Sequence, residues 1–123
     1  MPLTDEEMVS FLATSNAMAS RIFFENLGLK LIEETDFAVV FTGANGQLRI
    51  QKVEAFVPHP YTVLGWKVDV IEKTVKELTA KGVIFERYDR LSQDSSAIWT
   101  SPSGAKIAWF KDPDGNLISL TQY

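Results

Sequence analysis

Apolar residues recur along the chain in two patterns, and each pattern predicts a different kind of element. Helical spacing of apolar residues predicts two amphipathic helices, the first with Ala19, Ile22, Phe23 and Leu27 and the second with Ile71, Val75 and Leu78 on the buried side. The remaining apolar stretches are short and lie between turn residues, which is typical of strands. The predicted strands are residues 8–14, 29–34, 37–42, 47–53, 62–68, 83–88, 97–100, 106–111 and 116–122.

Turn residues separate several of these strands. Residues 44–46, Ala-Asn-Gly, predict a tight hairpin, because Asn-Gly favours tight hairpin turns. Residues 112–116, Asp-Pro-Asp-Gly-Asn, predict a second hairpin: proline presets a turn φ, aspartate bonds nearby N–H groups and Gly115 accepts a positive φ. A third turn is expected at residues 102–104.

The two helices also reveal an internal repeat. Ser15 or Asn16 can cap the first helix, and Asp69 with Glu72 has capping-box spacing at the second. Ser15 and Asp69 lie 54 positions apart, and so do the glycines that end the two helices, Gly28 and Gly82. We therefore expect one domain over residues 1–123, with module one at about 8–53, a linker at 54–61 and module two at about 62–122.

Composition limits the classes of function. A chain of 123 residues with 46% hydrophobic content can bury a core, and the net charge of −4 argues against a general nucleic-acid partner. The absence of cysteine excludes disulfides, thiolate metal sites and cysteine catalysis. No apolar run is long enough to span a membrane, and the acidic first residues are unlike a signal peptide. We expect a soluble, cytoplasmic protein with no membrane partner.

Three segments together resemble one known superfamily. Phe110, then Asp-Pro-Asp-Gly-Asn at 112–116 and an apolar strand, resembles the C-terminal signature of the vicinal oxygen chelate superfamily, which holds glyoxalase I, extradiol dioxygenases and the bleomycin- and fosfomycin-resistance proteins. Residues 23–29 are similar to its helix-to-strand segment and residues 66–71 to its second strand-to-helix segment. The resemblance implies an α+β fold of two βαβββ modules, whose curved mixed sheets form a cup around a ligand. It also implies a homodimer.

The resemblance implies as well that this chain lacks the usual metal site. Metal-using members place four ligands, usually His and Glu, on strands that face the cup. The matching positions here are Val9, Val63, Ser119 and either Arg49 or Gln51. Valine has no donor atom, whereas a catalytic divalent ion normally needs about three protein ligands. We therefore expect no metal and no cofactor.

Alternation along the strands then predicts which side chains line the cup. Val63, Gly65 and Lys67 would face it, and Trp66 would face a helix. The facing of the strands at 97–100 and 106–111 stays open, because a bulge in either would reverse it. The predicted ligand-binding residues are Val9, Phe11, Arg49, Gln51, Val63, Trp99, Trp109 and Ser119.

Three functions remain open at this point. The first is a metal-independent small-molecule binding protein of the bleomycin-resistance kind, which sequesters an aromatic or cationic compound. The second is an enzyme, a lyase, isomerase or dioxygenase-type member of the superfamily, with catalysis by Arg49, Gln51 or Ser119 or with Lys67 as a base. The third is a dimer module whose cup is filled by its own side chains. His59, the only histidine, has no evident partner, so no catalytic residue is assigned and the first function is preferred.

Overall fold

The computed structural model describes residues 2–123 and divides into two compact units. The first unit ends at Val57 and the second begins at Pro58, and we call them module one and module two. Each module contains one α-helix and one four-stranded mixed sheet. The α+β class and the two-module organisation predicted from the sequence are confirmed.

The elements follow the same order in both modules. Module one contains β1 (Val9–Thr14), α1 (Ala17–Asn26), β2 (Lys30–Glu34), β3 (Ala38–Gly43) and β4 (Gly46–Lys52). Module two contains β5 (Thr62–Lys67), α2 (Ile71–Ala80), β6 (Trp99–Thr100), β7 (Lys106–Lys111) and β8 (Leu117–Gln122). A single 3-10 turn, Leu3–Asp5, precedes β1. Within residues 2–123 no helix is long and apolar enough to cross a membrane.

Module one builds its core between α1 and one face of its sheet. The strand order is β1-β4-β3-β2, with β1 parallel to β4 and the other pairs antiparallel. Phe24 of α1 is fully buried, and its ring centroid lies 6.1 Å from that of Phe41 in β3. The buried strand residues on the same face are Leu12, Thr14, Val39, Leu48 and Ile50. Alternation places the residues between them on the opposite face.

Module two repeats this arrangement in the order β5-β8-β7-β6. Helix α2 buries Ile71, Val75 and Leu78, as its spacing predicts. Two side-chain contacts fix α2 to the sheet: Lys106 Nζ in β7 lies 2.8 Å from Glu72 Oε2, and the amide N–H of Ile71 donates to Gln122 Oε1 in β8 at 2.9 Å. The face towards α2 therefore contains Ala108, Phe110, Ile118 and Leu120, all buried.

The helix caps are only partly those predicted. Asn16 caps α1, because its Oδ1 accepts the N–H of Ala19 at 3.1 Å. The capping box at Asp69 and Glu72 is wrong: Val70 occupies the N-cap of α2 and contributes no side-chain hydrogen bond. Gln122 supplies the missing acceptor from β8 instead. Asn16 and Val70 remain 54 positions apart, so the repeat itself holds.

The predicted strand 83–88 is also wrong. Only Phe85 pairs with β7, through an isolated bridge to Phe110, and the N–H of Glu86 makes one more bond to the carbonyl of Trp109. The chain then leaves the sheet and returns at β6, which is shorter than the predicted strand 97–100. The outer strand of module two is thus interrupted by residues 87–98, which we call the edge loop.

The hairpin turn at residues 44–46 differs in detail. Gly43 pairs with Gly46 across the hairpin, so the two loop residues are Ala44 and Asn45. Gly46 is the first residue of β4 rather than part of the turn. A Cβ at Gly46 would lie 2.7 Å from the carbonyl oxygen of Met8, so the close approach of these two backbones requires the glycine.

The turn at residues 112–116 connects β7 and β8 as predicted. Gly115 has φ 91°, and its N–H donates to the carbonyl of Asp112 at 3.0 Å. A Cβ at Gly115 would lie 3.2 Å from Cγ of Pro58. The turn is therefore constrained both by backbone conformation and by contact with the start of module two.

Replacing Gly115 by alanine should lower the free energy of unfolding by about 1–2 kcal/mol, because alanine is strained at positive φ and its methyl group would crowd Pro58. Urea unfolding of both proteins measures the difference. Gly104→Ala is the matched control, since Gly104 has φ 92° but a methyl group at that position would meet no atom within 4 Å. Equal decreases in the free energy of unfolding for the two variants would show that Pro58 can move away from the new methyl group without loss of stability.

Candidate functional site

The face of module one opposite α1 contains four of the predicted site residues. Strand pairing aligns Phe11 of β1 with Arg49 of β4, and Arg49 with Val40 of β3. Paired residues on neighbouring strands share a face, and residues two apart along a strand do as well. Val9, Phe11, Arg49 and Gln51 therefore lie together on what we call the module-one face. Ligand binding by these residues stays a prediction.

This face is partly open to solvent. Val9 is 40% and Phe11 is 55% exposed, whereas Leu12 and Thr14, on the opposite face of the same strand, are buried. Arg49 is half-buried and Gln51 is exposed. The module-one face thus presents apolar side chains on its outer strand beside polar side chains on the next strand.

The face of module two opposite α2 contains three more predicted residues. One row across the sheet runs from Trp109 in β7 through Ser119 in β8 to Gly65 in β5. The neighbouring row contains Trp99, Ile107, Thr121 and Lys67. We call this surface the module-two face. It settles the facing of Trp99 and Trp109, which the sequence left open, and Trp66 lies on the opposite face, as predicted.

Val63 is the exception among the predicted residues. The register of β5 against β8 shifts between Thr62 and Leu64, so Val63 lies in an irregularity of the ladder. Regular alternation, on which the prediction for Val63 depended, does not hold there. Thr62 rather than Val63 pairs with Leu117, so the strand pairing does not place Val63 on the module-two face.

The aromatic rings of Tyr88, Trp99 and Trp109 form a cluster. The Trp99 and Trp109 ring centroids are 6.1 Å apart with planes tilted by 33°, and Tyr88 meets Trp109 edge to face at 5.6 Å. The Arg90 guanidinium lies 5.3 Å from the Tyr88 ring centroid. Burial is the main cause that raises the pKa of the Tyr88 hydroxyl, and the charge of Glu86 adds to it. Sequence reasoning missed Tyr88, because it placed this residue on a regular strand.

The edge loop that positions Tyr88 is held by one glutamine. Gln93 Oε1 accepts the N–H of Tyr88 at 2.7 Å, and Nε2 donates to the carbonyls of Glu86 and Ala97 at 2.9 and 2.8 Å. The side chain therefore links the departing and the returning arm of the loop. Arg87 adds hydrogen bonds from Nη2 to the carbonyls of Asp94 and Ser95. The aromatic cluster is thus supported by a loop whose two arms are joined by side-chain hydrogen bonds.

Gly65 makes room for Ser119 on the module-two face. A Cβ at Gly65 would lie 2.7 Å from Ser119 Oγ and 3.2 Å from the Ser119 carbonyl oxygen. Gly65 is itself exposed although it lies within a strand. A glycine inside a strand often marks a close approach, and here it allows Ser119 to lie against the backbone of β5. The sequence placed Gly65 on the side facing the cup but did not count it among the predicted ligand-binding residues.

Substituting Gly65 with alanine should destabilise the fold by about 1–2 kcal/mol, because the new methyl group overlaps the Ser119 side chain. The double variant Gly65→Ala, Ser119→Ala should recover part of the loss, since it removes the atom in closest contact. Urea unfolding of wild type, both single variants and the double variant gives the coupling energy. Strict additivity of the two single effects would contradict the predicted contact.

From the sequence alone Asp112 could be a catalytic carboxylate, but in the structure its carboxylate accepts hydrogen bonds within the turn. Its Oδ1 accepts the N–H groups of Asp114 and Asn116, and its Oδ2 accepts the amide Nδ2–H of Asn116. Burial is the main cause that raises the pKa of Asp112, while these hydrogen bonds oppose the rise. The structural interpretation of Asp112 made from the sequence agrees with these contacts.

The residues at the expected metal positions do not fit a divalent ion. Val9, Val63 and Ser119 offer at most one weak oxygen donor, and Arg49 and Gln51 are poor ligands. Across residues 2–123, no three His, Cys, Asp or Glu residues are grouped so that they could hold a metal ion. His59 instead stacks on Tyr61, with ring centroids 4.9 Å apart. A metal-dependent reaction cannot be derived from this set of side chains.

Comparison with known proteins agrees on one family and one fold. The family model described as Glyoxalase/Bleomycin resistance protein/Dioxygenase superfamily matches residues 8–120. A bleomycin-binding protein solved in complex with bleomycin has a TM-score of 0.75 at 17% identity, covering 96% of this chain and 98% of that one. A lactoylglutathione lyase from Agrobacterium tumefaciens has a TM-score of 0.74 at 16% identity, with coverages of 96% and 93%.

A member of the superfamily from Sphaerobacter thermophilus has a TM-score of 0.74 at 21% identity, covering 99% of this chain and 100% of that one. The search of curated proteins gave no match. At these identities the structural likeness establishes the fold.

Proposed function

Because the chain belongs to the Glyoxalase/Bleomycin resistance protein/Dioxygenase superfamily, we propose that it is a metal-independent protein that binds and sequesters an aromatic small molecule. The observation that carries this proposal is the row Trp109, Ser119, Gly65 on the module-two face. A flat ring can stack on indole, a hydroxyl can orient it, and the glycine leaves space. Sequestration requires no catalytic group, which agrees with the absence of a metal-binding set among residues 2–123.

Two further observations support an aromatic ligand. Tyr88 and Trp99 flank Trp109, so the stacking surface extends beyond one ring. A solved protein with this fold is described as bleomycin-binding, which supports binding as a role for the fold. Bleomycin itself is not implied for this chain.

The proposal includes a homodimer in the cytoplasm. β1 is an outer strand of its sheet, so its free backbone edge can pair with a second chain. Sedimentation velocity should give about twice the monomer mass of 13.8 kDa. A single species at the monomer mass would remove the dimer from the proposal.

The proposal is tested by binding measurements and metal analysis on purified protein. We expect no stoichiometric divalent metal, no large thermal stabilisation by Ni, Zn, Mn or Fe, and a saturable stabilisation by members of an aromatic compound library. Stoichiometric metal would contradict the metal-independent part. Chemical conversion of a bound compound would favour the lyase or isomerase alternative.

Two variants locate the binding surface. Trp109→Leu should weaken calorimetric binding of the best aromatic compound at least about fivefold, since stacking on one ring contributes about 1 kcal/mol beyond area burial. Trp66→Leu is the matched control, because Trp66 pairs with Leu120 on the opposite face of the sheet. Equal effects of the two substitutions would show that the module-two face is not the binding surface.

A further inference from the structure

Arg49 occupies an unusual place for a charged residue. It lies on β4, an inner strand of the module-one sheet, with Phe11 on one neighbouring strand and Val40 on the other. Val40 is 1% exposed, and the Arg49 side chain is itself half-buried. A cation in the middle of a sheet face, beside apolar residues, is partly removed from water, which is unfavourable unless an anion compensates it.

No side chain among residues 2–123 supplies that anion. Within residues 2–123 the Arg49 guanidinium has no hydrogen-bond acceptor and no carboxylate within ion-pair distance. The carboxylate in the same row belongs to Glu33, which pairs with Val40 from β2. Two strand spacings of about 4.8 Å each separate Glu33 from Arg49, so the two residues are not neighbours across the sheet. The other partly buried cations of module one, by contrast, are paired: Lys52 and Arg21 both bind Glu34.

The surroundings of Arg49 indicate what kind of anion fits. A guanidinium donates two parallel N–H groups to a planar carboxylate, which favours that group over a spherical anion. Phe11 and Val9, both exposed, lie beside it on β1 and offer a surface for an apolar body. Gln47 and Gln51, two positions along β4 in each direction, add amide groups on the same face. The face thus combines one fixed cation with an apolar flank.

We propose that the module-one face binds an aromatic carboxylate, with the carboxylate on Arg49 and the ring against Phe11. This inference goes beyond the proposed function, because it assigns an anion-selective binding surface in module one in addition to the aromatic cluster of module two. A cationic compound would be repelled by Arg49.

Three compounds with one shared ring system test the charge. Naphthoate, naphthamide and naphthylmethylamine are anionic, neutral and cationic at pH 7, and calorimetry measures the affinity of each. Naphthoate should bind at least about tenfold more tightly than naphthamide, a difference that corresponds to about 1.4 kcal/mol for one charge-assisted pair. Naphthylmethylamine should bind most weakly.

Three variants test the residue. Arg49→Gln should remove the preference for naphthoate over naphthamide, and Arg49→Lys should retain part of it because lysine keeps the charge but loses the planar fork. Lys73→Gln is the matched control: it removes one exposed positive charge on α2 and should leave all three affinities unchanged. Thermal unfolding provides a second readout, and Arg49→Gln should leave the melting temperature unchanged or raise it, since no partner is lost.

The outcomes separate the two proposals. Equal binding of naphthoate and naphthamide, or an unchanged preference in Arg49→Gln, would overturn the role of Arg49 while leaving an aromatic-binding protein in place. A lowered melting temperature in Arg49→Gln would also overturn it, because it would reveal a structural role. If wild type binds none of the three compounds, this inference is contradicted, while the proposed function is decided separately by the aromatic compound library and by Trp109→Leu.

Discussion

Replacing Asp112 by alanine should lower the free energy of unfolding by about 3 kcal/mol, because three hydrogen-bond donors then lose one buried acceptor group. Two of these donors are backbone N–H groups of the turn, and the third is the amide of Asn116, which is itself buried. The Asp112 carboxylate uses both of its oxygens: Oδ1 accepts the two backbone N–H groups, and Oδ2 accepts the Asn116 side-chain amide. Chemical denaturation monitored in urea gives the difference from wild type.

Asp112→Asn is the informative partner of this variant. Asparagine keeps one oxygen for the two backbone N–H groups but places an amide opposite the Asn116 amide, so it should lose about 1–2 kcal/mol, less than alanine. A loss for alanine of under about 1 kcal/mol would mean that water replaces the carboxylate and that the turn does not depend on Asp112.

The difference in stability between wild type and Asp112→Asn should depend on pH. Burial raises the pKa of Asp112 above its ordinary value of about 4, so the folded chain binds this proton more tightly than the unfolded chain. The contribution of Asp112 to stability is therefore greatest at acidic pH and declines as the pH rises from about 4 through the raised pKa. Glu34 and Glu72 titrate in the opposite sense, because hydrogen bonds from Lys52 and Lys106 lower the pKa of each.

When the stability of Asp112→Asn is subtracted from that of wild type, the pH-dependent contributions of Glu34 and Glu72 cancel, because both proteins contain these groups. This difference should fall as the pH is raised and then become constant. A difference that grows with pH would show that the three hydrogen bonds outweigh burial and that the pKa of Asp112 is lowered.

The second large effect is expected at Gln93, in the edge loop. Gln93→Ala removes three hydrogen bonds that link the two arms of the loop and should destabilise the fold by about 2–3 kcal/mol. Hydrogen exchange should show faster exchange at the N–H of Tyr88, which loses its acceptor, while the N–H groups of β8 stay protected. Binding of the aromatic ligand should weaken as well, because Tyr88 is no longer held against Trp109.

Two comparisons check this interpretation of Gln93. Gln93→Glu should be at least as harmful as alanine, since the carboxylate would face the carbonyls of Glu86 and Ala97 instead of donating to them. Ser92→Ala, an exposed neighbour, should stay within about 0.5 kcal/mol of wild type. Uniform exchange across module two in Gln93→Ala would mean that the loop opens only with the whole unit.

The sequence predicts the regular parts of the fold well, because their signals are local. Both helices are located by apolar spacing, and the turn before β8 follows from the conformational preferences of Pro113 and Gly115. The buried side predicted for α1 is wrong, however, because Ile22 is 62% exposed and the buried residues of the helix are Ser20 and Phe24. The capping of α2 could not be predicted, since its acceptor Gln122 lies 51 residues away in sequence. The edge loop was missed for the same reason: residues 83–88 have the composition of a strand, but pairing ends after Glu86.

Prediction of the candidate site follows the same division. Alternation assigned Phe11 and Arg49 to one face because β1 and β4 are regular, and it failed at Val63 because β5 is irregular there. Tyr88 reaches Trp109 only through the edge loop, and no local pattern indicates that contact. That Arg49 has no acidic partner within residues 2–123 is likewise a property of the folded face and not of the sequence around it.

The division of the chain at Val57 and Pro58 has a spectroscopic consequence. All three tryptophans and all three tyrosines follow Pro58, so module one contains phenylalanine as its only aromatic fluorophore. Intrinsic fluorescence excited at the indole band therefore reports on module two alone, whereas far-ultraviolet circular dichroism reports on the backbone of both modules. Unfolding curves recorded by the two methods coincide if the modules unfold as one cooperative unit, and they separate if either module unfolds first.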